Sequence, residues 1–270
     1  KIKIGRKGDM RKSSSGNEFQ PPMKLDHFLV TTLRRGPDGN FLRDEMVHSM
    51  VGDAPTRLRV RLLYHDIEMN FSSRLASFDG RAMFCSGDGR TATRRGVAEP
   101  IKCPCERLEM TYRGRDKCKP NGALSVILDG VPNVGSVWQF RTTSWNSIRQ
   151  LEASLLQIKT FTGGILAGIP LDLVLSPKDV QTPDGQGMTA YVVSLEFPGT
   201  VQDLRSIGRQ LLDEEKTHYR KLRETSAHTE TMVVVLREIA KSSKGASKKA
   251  AELLLGIGLT EPAKEPPRTV

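Results

Sequence analysis

The sequence predicts an α+β fold: an antiparallel, β-rich domain with an inserted four-cysteine loop, one packed central helix and a long C-terminal helical region. Three observations point there. Residues 57–62 alternate charged and apolar side chains, the period of a half-buried strand. Residues 144–162 carry Ile148, Leu151, Leu155 and Ile158 at three- and four-residue steps, the period of a helix packed along one side. All four cysteines fall between residues 85 and 118, in a stretch with little hydrophobic periodicity of its own.

Taken in order, residues 1–22 are basic, then Ser- and Gly-rich, and end in Pro21-Pro22. That composition buries little and predicts a flexible basic arm. Residues 41–55 are polar without sustained period and read as weakly ordered. Order begins at Arg57, where Leu58, Val60 and Leu62 line one face of a strand and Arg57, Arg59 and Arg61 the other. Residues 66–78 read as a further extended segment. Beyond the cysteines, residues 123–128 and 136–140 are short strands around the turn residues Asp129, Gly130, Pro132 and Asn133.

Ser144 is placed to cap the helix of residues 144–162, and Gly163-Gly164 to end it. Residues 171–175 and 190–197 pair as a hairpin with Thr182-Pro183-Asp184-Gly185 at its tip. Thr200 caps a long helix with Val201, Leu204, Ile207, Leu211 and Leu212 on one side, and the helical tract continues, with a break near residues 225–228, to about residue 239. The domain organisation is therefore an arm over 1–22, an α+β domain over 23–240 with an insertion at about 85–118, and a basic, mobile tail over 241–270. Hairpin-like connections favour an antiparallel sheet over a doubly wound one.

The cysteines, Cys85, Cys103, Cys105 and Cys118, are spaced C-x17-C-x-C-x12-C among lysines and arginines. Four thiolates suit one tetrahedral Zn²⁺ with no open position, a structural site that folds a loop and does no chemistry. One structural zinc is the expectation. Two disulfides and four unrelated buried thiols are the alternatives, because Cys103 and Cys105 flank a single proline instead of the usual two residues. No apolar run approaches the roughly 18 residues of a membrane span, and residues 1–15 lack the apolar core of a signal peptide. A cytoplasmic protein with reduced thiols and no membrane partner is expected.

With 270 residues and a formal net charge of +10, the chain suits a polyanionic partner, DNA first, because neutralising phosphates releases counterions. Candidate contacts are Arg57, Arg59, Arg61 and Arg141, and the tail lysines Lys241, Lys244, Lys248 and Lys249. Each has a plainer reading as a solvated charge.

The segment from Val137-Trp138-Gln139-Phe140-Arg141 through Trp145 and Ile148, followed by Gly163-Gly164-Ile165-Leu166-Ala167-Gly168-Ile169-Pro170-Leu171, resembles the recombination directionality factor-like proteins of phages and integrative elements. Cys85-Ser86-Gly87-Asp88-Gly89 and Cys103-Pro104-Cys105 fit the same family. The resemblance covers roughly residues 57–200. It implies a non-enzymatic accessory protein that binds a large serine integrase on attachment-site DNA and switches it from integration to excision, with only weak DNA binding when alone. The basic C-terminal extension departs from the family and leaves room for direct DNA contact.

Some members of that family are labelled hydrolases. The chain has no H-E-x-x-H, no G-x-S-x-G and no phosphate-binding G-x4-G-K-[S/T]. His65-Asp66 reads more simply as a strand-end pair than as an acid–base couple, and Asp88, between two glycines, as a turn residue. No catalytic residue is assigned; a metal-dependent hydrolase is the least favoured alternative. A nearer one is a single-stranded-DNA-binding or replication accessory protein of a mobile element, with Trp138, Phe140 and Trp145 beside the arginines as a groove. The competing reading has these aromatics packing the 144–162 helix onto the sheet.

Overall fold

A computed structural model of the chain describes residues 1–14, 16–79, 82–105, 117–132, 135–181, 185 and 187–242. The chain divides into two units, Lys1–Leu211 and Leu212–Val270. The first is an α+β, β-rich domain. Its opening strands are β1 (Ile2–Lys7), β2 (Arg11–Lys12), β3 (Glu18–Phe19), β4 (Pro22–Arg35) and β5 (Phe41–Arg43), followed by α1 (Glu45–Val51) and β6 (Arg57–Arg61). Then come α2 (Ile67–Asn70), β7 (Phe71–Asp79), β8 (Ala82–Gly87), β9 (Thr91–Arg94), β10 (Ile101–Lys102), β11 (Lys119–Leu128) and β12 (Trp138–Thr142). Helix α3 (Trp145–Phe161), the hairpin β13 (Pro170–Gln181) and β14 (Gly187–Glu196), and the first turns of α4 (Val201–Ser242) complete it.

Among the described residues one sheet runs β10-β9-β8-β7-β11-β12-β1-β4-β5, and β6, β13 and β14 branch from it at β11. β11 is the shared element. Its side chains alternate strictly, with Pro120, Gly122, Leu124, Val126 and Leu128 buried, as a strand with one face in the core requires. Over its first part it pairs with β7 and β12, and at Ile127 and Leu128 with β6. Among the described residues the strand pairings are antiparallel except that of β1 with β12, where Ile2 aligns with Phe140.

Between β6 and β7, buried Asn70 organises the turn. Its Oδ1 accepts from the Leu63 and Tyr64 amides, and its Nδ2 donates to the Tyr64 and Asp66 carbonyls. A buried amide group is tolerated there because its hydrogen-bonding capacity is used.

Helix α3 forms as its periodicity dictates. Ser144 caps it, accepting from the Ser147 amide, and Ile148, Leu151, Leu155 and Ile158 are buried. Its contacts go to β14 and β7, and Ser147 Oγ accepts from the Val193 amide of β14 at 3.1 Å. Gly122 permits the close approach: a Cβ there would lie 2.9 Å from Ile148 Cγ1 and 3.0 Å from Phe71 Cζ. Helix α4 begins with a reciprocal cap in which Thr200 N and Oγ1 donate to the Asp203 carboxylate and Asp203 N donates to Thr200 Oγ1. These bonds hold the exposed Asp203 carboxyl below the ordinary carboxylate range.

Several expectations are corrected here. Residues 1–7 are not a free arm: Ile2 is buried, and β1 pairs with both β4 and β12. Isoleucines at alternate positions supply an inward face that the lysine and arginine content masked. Residues 41–55 are ordered by β5 and α1; Asp44 caps the helix, and buried His48 accepts from the Val30 amide at Nε2 while Nδ1 faces the Gly52 carbonyl at 2.8 Å. The inserted zinc loop is not supported: among the described residues no group of side chains is placed to hold a metal ion, and residues 82–102 extend the sheet, with β8 paired with β7 and β9, and β9 with β10. Strands 11, 13 and 14 also run longer than expected, and α4 is one helix through residues 225–228.

Gly122→Ala is expected to destabilise the domain by about 1–3 kcal/mol, the usual cost of overpacking a filled core. Urea denaturation checks this, and an unchanged midpoint would show that Ile148 and Phe71 yield freely.

Candidate functional site

The four cysteines are free thiols. Cys85, Cys103 and Cys118 are buried in a small apolar cluster with Leu75 and Ala92, against which Phe84 and Ile101 pack. Among the described residues, no group of three or more His, Cys, Asp or Glu side chains is placed to hold a metal ion. The expected structural zinc on Cys85, Cys103, Cys105 and Cys118 is thereby overturned. The charged group aimed at these sulfurs is a guanidinium: Arg94 Nη2 donates to Cys105 Sγ at 3.4 Å, and hydrogen bonding to Cys85 raises the Arg94 pKa. Burial, then the nearby Cys103, Cys105 and Cys85, push the Cys118 thiol up to about 11. It is a protonated thiol at neutral pH, with little nucleophilic thiolate.

The arginine row on β6 has carboxylate partners on neighbouring elements. Arg59 Nε donates to Asp172 Oδ1 at 2.6 Å, across the β6–β13 register in which those two residues are aligned. Arg57 reaches Glu196 Oε2 at 2.9 Å and Asp172 Oδ2 at 3.5 Å. Arg61 reaches Asp129 Oδ2 at 3.0 Å and the Gly168 carbonyl at 2.6 Å. Leu58 and Val60 are buried on the opposite face, as the alternation requires. Three guanidiniums thus meet three carboxylates, and the ladder ties β6 to β13, β14 and the residue that follows β11.

Arg141 is exposed on β12 and donates from Nε to Gln139 Oε1 at 2.7 Å. Lys241 lies near the end of α4, its side chain outside the described set, and Lys244, Lys248 and Lys249 lie outside the described residues. Trp138 and Phe140 are buried and Trp145 is half exposed, with the Arg149 guanidinium 5.8 Å from its ring centroid. His65 Nδ1 faces the Leu166 and Ala167 amides at 3.1 and 3.2 Å, while Asp66 caps α2. Asp88 accepts from the Thr91 and Arg90 amides, which hold its carboxyl below the usual range. These are structural roles.

A basic cleft of about 470 Å³ in the first strands escaped the sequence reading. It is lined by β1, β4, β5 and their connections, with Lys3, Arg6, Lys7, Lys24, Arg35 and Phe41 among its residues. Three cations surround the Phe41 ring: Lys1 Nζ at 4.1 Å, Lys3 Nζ at 4.6 Å and Arg35 Cζ at 4.4 Å from its centroid. Burial, followed by the charges of Lys1 and Arg35, lowers the Lys3 ammonium below the ordinary lysine value. The sequence signal was Lys1-Ile2-Lys3-Ile4, an alternation in which two-residue steps put both lysines on one face.

Comparison with protein families gives a match over residues 1–198 to the model described as Gp3-like, Recombination directionality factor-like. No curated protein and no solved structure matches the chain. No helix among the described residues is long and apolar enough to cross a membrane.

Asp172→Asn is expected to cost about 1–3 kcal/mol, the range for losing hydrogen bonds to a charged group. In a double-mutant cycle with Arg59→Gln, the pair should lose less than the sum of the single changes; strict additivity would mean that the ion pair carries no coupling. Alkylation of the native protein near neutral pH, read by peptide mass spectrometry, should label partly exposed Cys105 before Cys118. Equal labelling would contradict the buried, protonated state of Cys118.

Proposed function

The chain belongs to the Gp3-like, recombination directionality factor-like family, and from that premise we propose that it binds a serine integrase assembled on attachment-site DNA and biases recombination toward excision. Membership assigns it to a non-catalytic class of DNA-recombination proteins. The observation carrying this reading is the extent of the match, which begins at residue 1 and ends at 198. It takes in the sheet, α3 and the β13–β14 hairpin and stops before α4.

The action is one of binding energy. An accessory protein with higher affinity for one arrangement of integrase subunits than for another shifts the equilibrium by that difference and no more. Turning a 1:99 preference into 99:1 takes differential binding of about 10⁴-fold, or about 5.5 kcal/mol. An interface of ordinary size supplies that without making or breaking a covalent bond, and the bias lasts only while the protein stays bound. Integrase contact is thus the primary interaction and DNA contact a supporting one.

The single-strand-binding alternative has less to support it, although Arg141 and Trp145 are exposed. Trp138 and Phe140 are buried, and the β6 arginines have carboxylate partners.

With the cognate integrase and paired attachment sites, excision should rise with added protein and level off near stoichiometry with integrase, while integration falls. A gel assay of both reactions measures this. Saturation far below stoichiometry would indicate turnover, and unchanged rates in both directions would remove the regulatory reading.

A further inference from the structure

The cleft between β1, β4 and β5 carries a charge arrangement unlike that of the β6 row. There, each guanidinium has a carboxylate from a neighbouring element. In the cleft, no carboxylate among the described residues forms an ion pair with Lys3, Arg6, Lys7, Lys24 or Arg35. The Asp38 carboxyl is held below the ordinary range mainly by hydrogen bonds from Asn40, and the Lys7 charge is the smallest of its causes. Arg35 donates to the Gly39 carbonyl at 2.9 Å, and the Phe41 ring sits amid Lys1, Lys3 and Arg35. The ring's negative face partly offsets the crowding of like charges, as cation–π contact does. Burial first, and then repulsion from Lys1 and Arg35, holds the Lys3 ammonium below the ordinary lysine value.

We propose that this cleft holds the phosphodiester backbone of duplex DNA. The proposal deepens the reading above, on which it rests for the class of partner, by locating a DNA contact on this protein. Lys3 and Lys7 stand four residues apart on β1, at most about 13 Å at the rise of a strand, with a register shift against β4 between Lys3 and Gly5. That span corresponds to about four nucleotides of one DNA strand at 3.4 Å each. Lys24 aligns with Gly5 between them, so the cations form a row along the strands, suited to a linear polyanion more than to a small one. Arg6 and Arg35 add guanidinium forks, whose geometry matches phosphate oxygens. Phe41 is engaged by its three cations and is not offered to a base, so recognition here is by charge and indifferent to sequence.

The test uses fluorescence anisotropy of a short mixed-sequence duplex titrated with the full chain over a series of salt concentrations. R6Q/K7Q/K24Q removes three exposed charges at the cleft; K102Q/R149Q/K178Q removes three exposed charges from β10, α3 and β13. The cleft variant should lose at least about tenfold in low-salt affinity, and its log–log salt slope should flatten by about 2–3, near 0.9 per lost phosphate contact. The control variant and the charge-keeping R6K/K7R/K24R should retain the parent slope, with matched urea midpoints confirming that all are folded. A cleft variant that binds DNA with the parent's affinity and slope overturns the proposal. So does one that keeps DNA binding but loses association with DNA-free integrase, which would assign the cleft to an acidic protein segment. Excision assays separate this from the regulatory reading: a parent that leaves excision unchanged while showing the cleft-dependent slope sinks only that reading.

Discussion

The alternation along β11 is the constraint on which the rest of the domain depends. This strand joins the long sheet to the β6–β13–β14 branch, and its register with β7 and β12 sets which side chains point inward over both. Because the side-chain period is two, a slip of one residue would bring Asn121, Ala123 and Ser125 to the core and expel Leu124 and Val126. The inward glycine on the same strand sets how near α3 can come, and α3 in turn fastens to β14 through Ser147. One strand thus positions the helix and both sheet portions.

What could be read from sequence was what repeats locally. The apolar steps of α3 and the alternation of β6 declare themselves within a dozen residues, and both elements form where the pattern places them. β1 was missed because its two inward isoleucines lie among lysines and arginines, and its partners lie far along the chain. The cysteine cluster failed for a related reason. Spacing among glycines, proline and lysines describes a turn-rich stretch equally well whether sulfurs meet a metal or sit in an apolar cluster beside an arginine; the surroundings of the sulfurs come from strands β7 to β10, and short strands leave little periodic trace.

The candidate site divides along the same line. Arg57, Arg59 and Arg61 were visible as a row, but Asp172, Glu196 and Asp129 became their partners only through topology. A net charge of +10 records excess and not location. On β6 the positive groups are matched by cross-strand acids and stabilise the junction of strands. Around Phe41 three cations share one aromatic ring and repel one another, so their charge is offset far less completely.

The parallel pairing of β1 with β12 also bears on the order of assembly. The β13–β14 hairpin closes through neighbours in sequence, whereas β1 must find both β4 and, much farther along the chain, the strand carrying Phe140. Contacts of such separation carry the largest loop-closure cost and are rewarded late. The cation-lined cleft that the first strand helps to build is therefore a property of the completed fold: a partly unfolded chain carries the same charges without the shape that concentrates them.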